Sequence, residues 1–194
     1  MYDKRIWRYL TDRVRQHGAI IFAIVDSDKY ELEAIGPLIR SFERVGIDAV
    51  LVGGTALTRG HEFYNAVFRE LRQHVRGIPL IIFPGGMGMR QSITADADAI
   101  FFLQLISGFN YRYYMFEQLM SAPKLNRLKM ESVSVGYILV SSPAVEPACR
   151  LTQTRPLKLS QAYDAMSLVV WSECLGRRMV WFDRGSNARE PIPP

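Results

Sequence analysis

The 194-residue chain repeats one pattern: a short apolar run, a polar or glycine-rich stretch, and then a segment with helical spacing. The apolar runs Ala19–Val25 and Pro79–Phe83 are typical of strands buried on both faces of a parallel sheet. Apolar residues from Leu32 to Val45 recur at helical spacing before Gly46, which predicts an amphipathic helix that ends there. The alternation therefore predicts βαβ units around a parallel sheet.

Polar and glycine residues cluster after the predicted strands, where a (β/α) barrel carries its catalytic residues. We therefore expect an α/β fold, a (β/α) TIM-type barrel with parallel strands, forming a single domain over residues 1–194. The predicted strands are Ala19–Val25, Asp48–Val52, Pro79–Phe83, Ala99–Ile106, Val133–Val140 and Arg178–Phe182. The predicted helices are Leu32–Val45, Glu62–Val75, Tyr111–Ser121 and Ser160–Leu175, and Ser141–Arg150 is expected to be irregular.

The predicted strand count is lower than that of a complete barrel. A full barrel of eight units takes about 250 residues, and six strands are predicted in this sequence. We therefore expect the last two βα units to be absent. A fragment, an unrepresented tail and a different α/β sheet remain open as explanations.

Composition argues against several classes of function. The net charge is +5, but the basic residues are scattered and form no dense run, so we expect no nucleic-acid partner. Cys149 and Cys174 form no CxxC motif, and the charged N-terminus does not resemble a signal peptide, so we expect a reduced, cytoplasmic protein. No apolar run approaches the roughly 20 residues that span a membrane.

Two carboxylates, Asp26 and Asp28, follow the first predicted strand. Mg²⁺ binds one or two protein carboxylates together with substrate phosphate oxygens, so this pair is a candidate metal site. A helix N-cap at Ser27 or Asp28 is the structural alternative. The second strand closes on Gly53, Gly54 and Thr55, where glycines let a backbone approach a phosphate but a simple tight turn explains them equally well.

The segment Trp181–Asn187 closes the sixth predicted strand with an aromatic ring, a carboxylate, a guanidinium and small polar groups. Such a set is suited to binding a polyol phosphate. The alternative is an Asp183–Arg184 salt bridge that closes the barrel rim.

Six blocks occur in order from about Ala19 to Pro193: VDSDK, VGGT, IPLIIFPGG, ADAIFFLQLISGFN, GYILV and WFDRGSNAREPIP. Together they resemble the geranylgeranylglyceryl phosphate synthase and heptaprenylglyceryl phosphate synthase family. The resemblance implies a Mg²⁺-dependent prenyltransferase of lipid biosynthesis. Such an enzyme moves a geranylgeranyl-like polyprenyl group from its diphosphate to the hydroxyl of sn-glycerol 1-phosphate, forming an ether lipid precursor.

The resemblance also implies roles for particular residues. Asp26 and Thr55 match metal ligands, and Asp183 matches the carboxylate that orients the acceptor hydroxyl and takes its proton. The expected acceptor-binding residues are Trp181, Phe182, Asp183, Arg184, Gly185, Ser186 and Asn187. The expected prenyl-diphosphate side comprises Asp28, Gly53, Gly54, Gly85 and Gly86. Aromatic candidates for the walls of a prenyl tunnel, or alternatively for core or interface, are Phe101, Phe102, Tyr111, Tyr113, Tyr114 and Phe116.

The chain departs from the family pattern in the acceptor segment, where Trp181 replaces Tyr, Asp183 replaces Glu, Arg184 replaces Ala and Asn187 replaces Gly. Arg184 offers a bidentate partner for a carboxylate, so an acceptor such as 3-phosphoglycerate is an alternative. A non-catalytic truncated barrel that binds prenyl diphosphate or serves as a partner subunit is another. We also expect a homo-oligomer and a product lipid that associates with membranes.

Overall fold

The computed structural model describes residues 4–54, 58–85 and 88–193. Strands and helices alternate along the described chain, as the sequence pattern predicts. The strands are β1 Phe22–Asp26, β2 Ala49–Gly53, β3 Leu80–Ile82, β4 Ala99–Leu105, β5 Glu131–Leu139 and β6 Met179–Asp183. The helices are α1 Arg5–His17, α2 Leu32–Val45, α3 Gly60–His74, α4 Met89–Ser92, α5 Glu117–Leu128, α6 Glu146–Thr152 and α7 Ala162–Cys174. A π-helical turn, Arg112–Phe116, precedes α5, and a 3₁₀ turn, Pro143–Val145, precedes α6.

The first of two compact units contains the described chain up to Phe101 together with Ser121–Ser132. Its strands are parallel and hydrogen-bonded in the order β1-β2-β3-β4. Every residue of β2 and β3 is buried. Helix α3 buries one face, formed by Tyr64, Val67, Phe68 and Leu71, and its Tyr64 hydroxyl donates to the Val52 carbonyl of β2 at 3.3 Å.

The second unit contains Phe102–Met120 and the described chain from Val133 onwards. Here the C-terminal half of β4 lies beside β5, and β5 pairs in parallel with β6. The register places Tyr137 opposite Trp181 and Leu139 opposite Asp183, so these side chains share one face. Parallel strands that alternate with helices and keep their chain order confirm the predicted α/β fold of (β/α)-barrel type.

Three local predictions are wrong. β1 begins only at Phe22, and Ile24 is 49% exposed between the buried Ala23 and Val25, so the described residues leave one face of this strand uncovered. The segment expected to be irregular contains α6, whose preceding turn begins where Ser142 Oγ accepts two backbone N–H groups. The helix expected to end at Ser121 continues to Leu128.

Helix α1 is not among the predicted elements. Its buried residues, Ile6 and Leu10, lie one turn apart on one face. The backbone N–H groups of Ile6 and Trp7 each donate to the buried Glu131 carboxylate at 2.8 Å. A tertiary contact therefore satisfies the helix N-terminus that no local cap serves.

Candidate functional site

β1 ends on Asp26, and the chain then turns across the end of β2. The Ser27 N–H donates to the Gly53 carbonyl at 2.8 Å. Asp26 Oδ1 accepts from the Asp28 N–H at 3.1 Å, and Asp26 Oδ2 forms an ion pair with Lys29 Nζ at 3.1 Å. These contacts fix the Asp26 carboxylate at the carboxyl end of the sheet, where ligands bind in parallel α/β folds.

Side-chain oxygens of this turn surround the backbone of Gly54. A Cβ atom built on Gly54 would lie 2.9 Å from Asp26 Oδ1 and 3.4 Å from both Asp28 Oδ2 and Ser27 Oγ. Ser27 is 2% exposed, and its Oγ has no hydrogen-bond partner among the described residues. A buried hydroxyl without a partner is unfavourable, so this space is suited to a ligand that bonds to oxygen.

The chemistry of these side chains fits a magnesium ion. They offer only oxygen ligands, and Mg²⁺ binds one or two carboxylates together with phosphate oxygens. Thr55, the other predicted ligand, lies outside the described residues. The described chain holds no group of three or more His, Cys, Asp or Glu side chains placed for a metal. An ion at Asp26 would therefore draw further oxygens from substrate or water.

Glycines bring the ends of β2 and β3 into backbone contact. A Cβ on Gly53 would lie 2.2 Å from the Phe83 carbonyl oxygen, and a Cβ on Gly85 would lie 1.6 Å from the Gly54 carbonyl oxygen. No side chain fits at either position unless the strand ends separate. Gly86 lies outside the described residues. Close packing thus accounts for Gly53 and Gly85, and phosphate contact by these glycines stays a prediction.

The predicted acceptor segment begins on β6 in the second unit, and its side chains alternate between two environments. Phe182 packs against Ile106, Ile138 and Val140, in a cluster that also includes Leu168 of α7. Trp181 and Asp183 project from the opposite face of the strand. Phe182 is therefore partly buried against the core, and its neighbours lie on the face that carries Tyr137.

Both carboxylate oxygens of Asp183 accept hydrogen bonds. The Tyr137 hydroxyl donates to Oδ2, and the Gly185 N–H donates to Oδ1 at 2.6 Å. Burial, then the charge of Asp183 and the hydrogen bond to it, raises the pKa of Tyr137 well above its ordinary value. The phenol consequently remains a donor, and it orients the carboxylate at the end of β6.

The Arg184 side chain is turned toward the C-terminal segment and away from an Asp183 salt bridge. Arg184 Nη1 donates to the carbonyls of Glu190 at 3.0 Å and Pro191 at 2.7 Å. Its side chain is 11% exposed, and its Nε has no hydrogen-bond partner among the described residues. The Arg184 carbonyl accepts from Ser142 Oγ, which joins the turn after β5 to the turn after β6.

The turn after β6 depends on two residues with positive φ. Gly185 has φ +92°, and a Cβ there would lie 2.1 Å from the Ala144 carbonyl oxygen. Asn187 has φ +64°, a conformation that asparagine tolerates. The Ala188 N–H closes the turn on the Gly185 carbonyl at 3.3 Å, with Ser186 at its second position.

The aromatic candidates for a prenyl tunnel have different surroundings. Phe101 is fully buried and packs edge-on against Phe22 and Phe83, with ring centroids 5.7 and 6.3 Å away. In the second unit, Tyr114 stacks on Trp171 at 6.2 Å, whereas Tyr111 is 53% exposed. Phe101 therefore belongs to the core, and the tunnel stays a prediction.

The structure groups the predicted residues into two sets and adds three that were not predicted to belong to the site. Asp26, Asp28, Gly53, Gly54 and Gly85 lie together in the first unit, and Trp181–Asn187 lie in the second. The added residues are Ser27, Tyr137 and Ser142. The GYILV block contained Tyr137, but its role depends on the register between β5 and β6.

No helix in the described ranges is long and apolar enough to cross a membrane.

Comparison with known proteins shows clear relatives. The chain is 31% identical over 180 residues to the geranylgeranylglyceryl phosphate synthase of Flavobacterium johnsoniae, covering 92% of this chain and 72% of that protein. It is 27% identical over 190 residues to the enzyme of the same name from Thermococcus gammatolerans, covering 98% of this chain and 72% of that protein.

A solved structure has the same fold. It is (S)-3-O-geranylgeranylglyceryl phosphate synthase from Thermoplasma acidophilum, crystallised with its substrate sn-glycerol-1-phosphate. It matches with a TM-score of 0.84 and 23% identity over 95% of this chain and 72% of that one. A family model described as the PcrB family matches residues 17–193. Because that match covers nearly the whole chain, and both candidate sites with it, this protein belongs to the PcrB family.

Proposed function

We propose that this protein is a prenyltransferase that moves a geranylgeranyl-like group from its diphosphate to the hydroxyl of sn-glycerol 1-phosphate. The observation that carries this proposal is the 31% identity to a geranylgeranylglyceryl phosphate synthase across 92% of the chain. The product is an ether-linked glycerol phosphate, a lipid precursor.

In the proposed reaction, the acceptor oxygen forms a bond to the allylic carbon of the prenyl group. The bond from that carbon to the diphosphate oxygen breaks, and the diphosphate leaves with the electron pair. The acceptor proton passes to Asp183. Each carboxylate oxygen has two lone pairs, so Asp183 can accept from an acceptor hydroxyl while it holds Tyr137 and Gly185.

Asp26 and Asp28, with Thr55 as the predicted further ligand, would hold Mg²⁺. When bound, the ion would neutralise charge on the diphosphate leaving group. The orientation of Asp26 Oδ1 and the unpaired Ser27 Oγ toward the space at Gly54 supports this assignment.

The acceptor is expected to be glycerol phosphate, the substrate bound in the Thermoplasma acidophilum enzyme, with 3-phosphoglycerate as the alternative. The alternative depended on Arg184 as a partner for the extra carboxylate, and Arg184 Nη1 already donates to two backbone carbonyls. Its Nε has no hydrogen-bond partner among the described residues, so Arg184 still offers a donor to a carboxylate, and 3-phosphoglycerate stays the alternative acceptor. The polyprenyl diphosphate donor and the homo-oligomer remain part of the proposal.

The test is turnover by the purified chain of radiolabelled geranylgeranyl diphosphate with sn-glycerol 1-phosphate, with Mg²⁺ or with EDTA. We expect a labelled phosphate lipid that requires both Mg²⁺ and the acceptor, and loss of activity in Asp26→Asn. In mixed-acceptor reactions, sn-glycerol 1-phosphate should be consumed before 3-phosphoglycerate. Donor binding without any turnover would instead support the non-catalytic alternative.

A further inference from the structure

A positively charged cavity lies in the first unit, and none of its lining residues is among those assigned to prenyl transfer. Its volume is about 510 Å³. It is lined by residues from the start of α3, from α4 and from the last turns of α5. These residues are His61, Arg90, Gln91, Lys124, Arg127 and Leu128.

Three of these side chains are cationic, and none of the lining residues is acidic. No hydrogen bond or ion pair joins the guanidinium groups of Arg90 and Arg127 to another described residue. This contrasts with Arg13, Arg59 and Arg72 of the same unit, whose guanidinium groups pair with carboxylates at 2.7, 2.7 and 2.8 Å. The like charges of the cavity repel one another, and an anion would relieve that repulsion.

Lys124 shows how closely these charges interact. Its Nζ donates to the Ile93 carbonyl at 2.8 Å and to the Arg90 carbonyl at 3.4 Å, so two of its three protons are directed to backbone. Burial, then the charges of Arg90 and Arg127, lowers the pKa of Lys124. The backbone contacts hold the ammonium group within electrostatic range of both arginines.

We propose that this cavity is a second anion-binding site that takes a phosphate or diphosphate group, separate from the residues assigned to prenyl transfer. Arginine forks bind phosphate oxygens in pairs, and a lysine adds a point charge. Gln91 supplies a neutral amide donor, and Leu128, 38% exposed, adds an apolar surface. The phosphate belongs either to a small soluble molecule or to the headgroup of an anionic lipid.

The test is titration with inorganic pyrophosphate in EDTA, which removes Mg²⁺-dependent binding at Asp26. The variant is Arg90→Gln/Arg127→Gln, because neither guanidinium has a described structural partner. Arg44→Gln is the matched control, since Arg44 is an exposed arginine on α2 of the same unit. We expect the wild type to bind, the double variant to bind at least about tenfold more weakly, and the control to stay within about twofold.

A second arm identifies the source of the phosphate. Flotation with vesicles of phosphatidylcholine alone, or with added phosphatidylglycerol, compares a lipid headgroup with free pyrophosphate. Binding that depends on Arg90 and Arg127 in either experiment supports the site. Dependence in the titration identifies a small soluble phosphate, and dependence in the flotation identifies a lipid headgroup. The proposal is overturned if wild type and double variant bind equally in both experiments, or if Arg44→Gln loses as much binding as the double variant.

Two further readouts separate this site from prenyl transfer. The double variant should keep its melting temperature, because like charges are removed without loss of a described contact. It should also keep its kcat/KM for the prenyl diphosphate. A fall in kcat/KM parallel to the loss of pyrophosphate binding would make the cavity part of the donor site and overturn the claim of a second site.

Discussion

Replacing Asp183 with asparagine removes a negative charge from the end of β6 but preserves the shape of the side chain. The wild-type carboxylate accepts from the Tyr137 hydroxyl and from the Gly185 N–H. In Asp183→Asn, the amide oxygen can still accept from Gly185. The amide nitrogen can donate to the Tyr137 oxygen, because a phenol also accepts. The turn should therefore survive, and only the charge and the basic lone pairs are lost.

The expected magnitudes for stability and for catalysis differ widely. Two charge-assisted hydrogen bonds become neutral ones, which lowers the free energy of unfolding by about 1–2 kcal/mol. That corresponds to a fall of roughly 3–6 °C in melting temperature for a chain of this size. Loss of a general base lowers kcat by at least about 100-fold. Tyr137→Phe keeps the base but loses its orientation, so we expect about a tenfold lower kcat/KM for the acceptor.

The assay is steady-state turnover with each substrate varied in turn, together with thermal unfolding of each variant. Asp183→Asn should lower kcat while the KM for the prenyl diphosphate stays near its wild-type value. Tyr137→Phe should lower the kcat/KM that is measured with the acceptor as the varied substrate. The reasoning fails if folded Asp183→Asn retains kcat within about threefold of the wild type. Asp183 would then only stabilise the turn, and another group would act as the general base.

Other substitutions test the fold that carries the site. Gly85→Ala should lower the free energy of unfolding by at least about 2 kcal/mol, because its Cβ meets backbone. The matched control, Gly36→Ala, should change the free energy of unfolding little, because its Cβ meets only the end of a side chain. Equal losses of stability in the two variants would contradict the prediction. Glu131→Ala should lower the free energy of unfolding by about 2–4 kcal/mol, since two N–H groups of α1 lose their acceptor. Chemical denaturation measures this change, and a loss under about 0.5 kcal/mol would refute the prediction. Burial alone would raise the pKa of Asp48, but the Ile21 N–H and Arg13 hold it below its usual value. Its stabilisation is therefore complete above the unfolded-state pKa of about 3.9 and is lost as pH falls through the folded-state pKa. The difference in unfolding free energy between wild type and Asp48→Asn should accordingly shrink below about pH 4, and a pH-independent difference would contradict this.

Much of the fold was predictable from local patterns. Continuous apolar runs and helical periodicity place most strand and helix ends within two residues, because burial in a parallel sheet requires those patterns. Glycine after α2 also ends that helix as expected, with φ +73° at Gly46. Helix α1 was not predicted, and its N-terminus is stabilised by Glu131, more than one hundred residues away in the sequence.

The candidate site was only partly predictable. Asp26 and Asp183 stand directly at strand ends, where the position of a carboxylate in the sequence already indicates its place at the edge of the sheet. Arg184 could not be judged in this way, because its partners are backbone carbonyls of the C-terminal segment. The sequence likewise gives no sign that Ser27 Oγ is buried without a partner.

The order of short motifs along the chain determined the fold class, the family and the chemical type of the residues at the strand ends. Such information is local, because each motif lies on one strand and the turn that follows. Only the tertiary structure decided that Tyr137 orients Asp183 and that Arg90, Lys124 and Arg127 share one cavity. These groupings join side chains from different elements, and their distances are set by strand register and helix packing, which no single segment encodes.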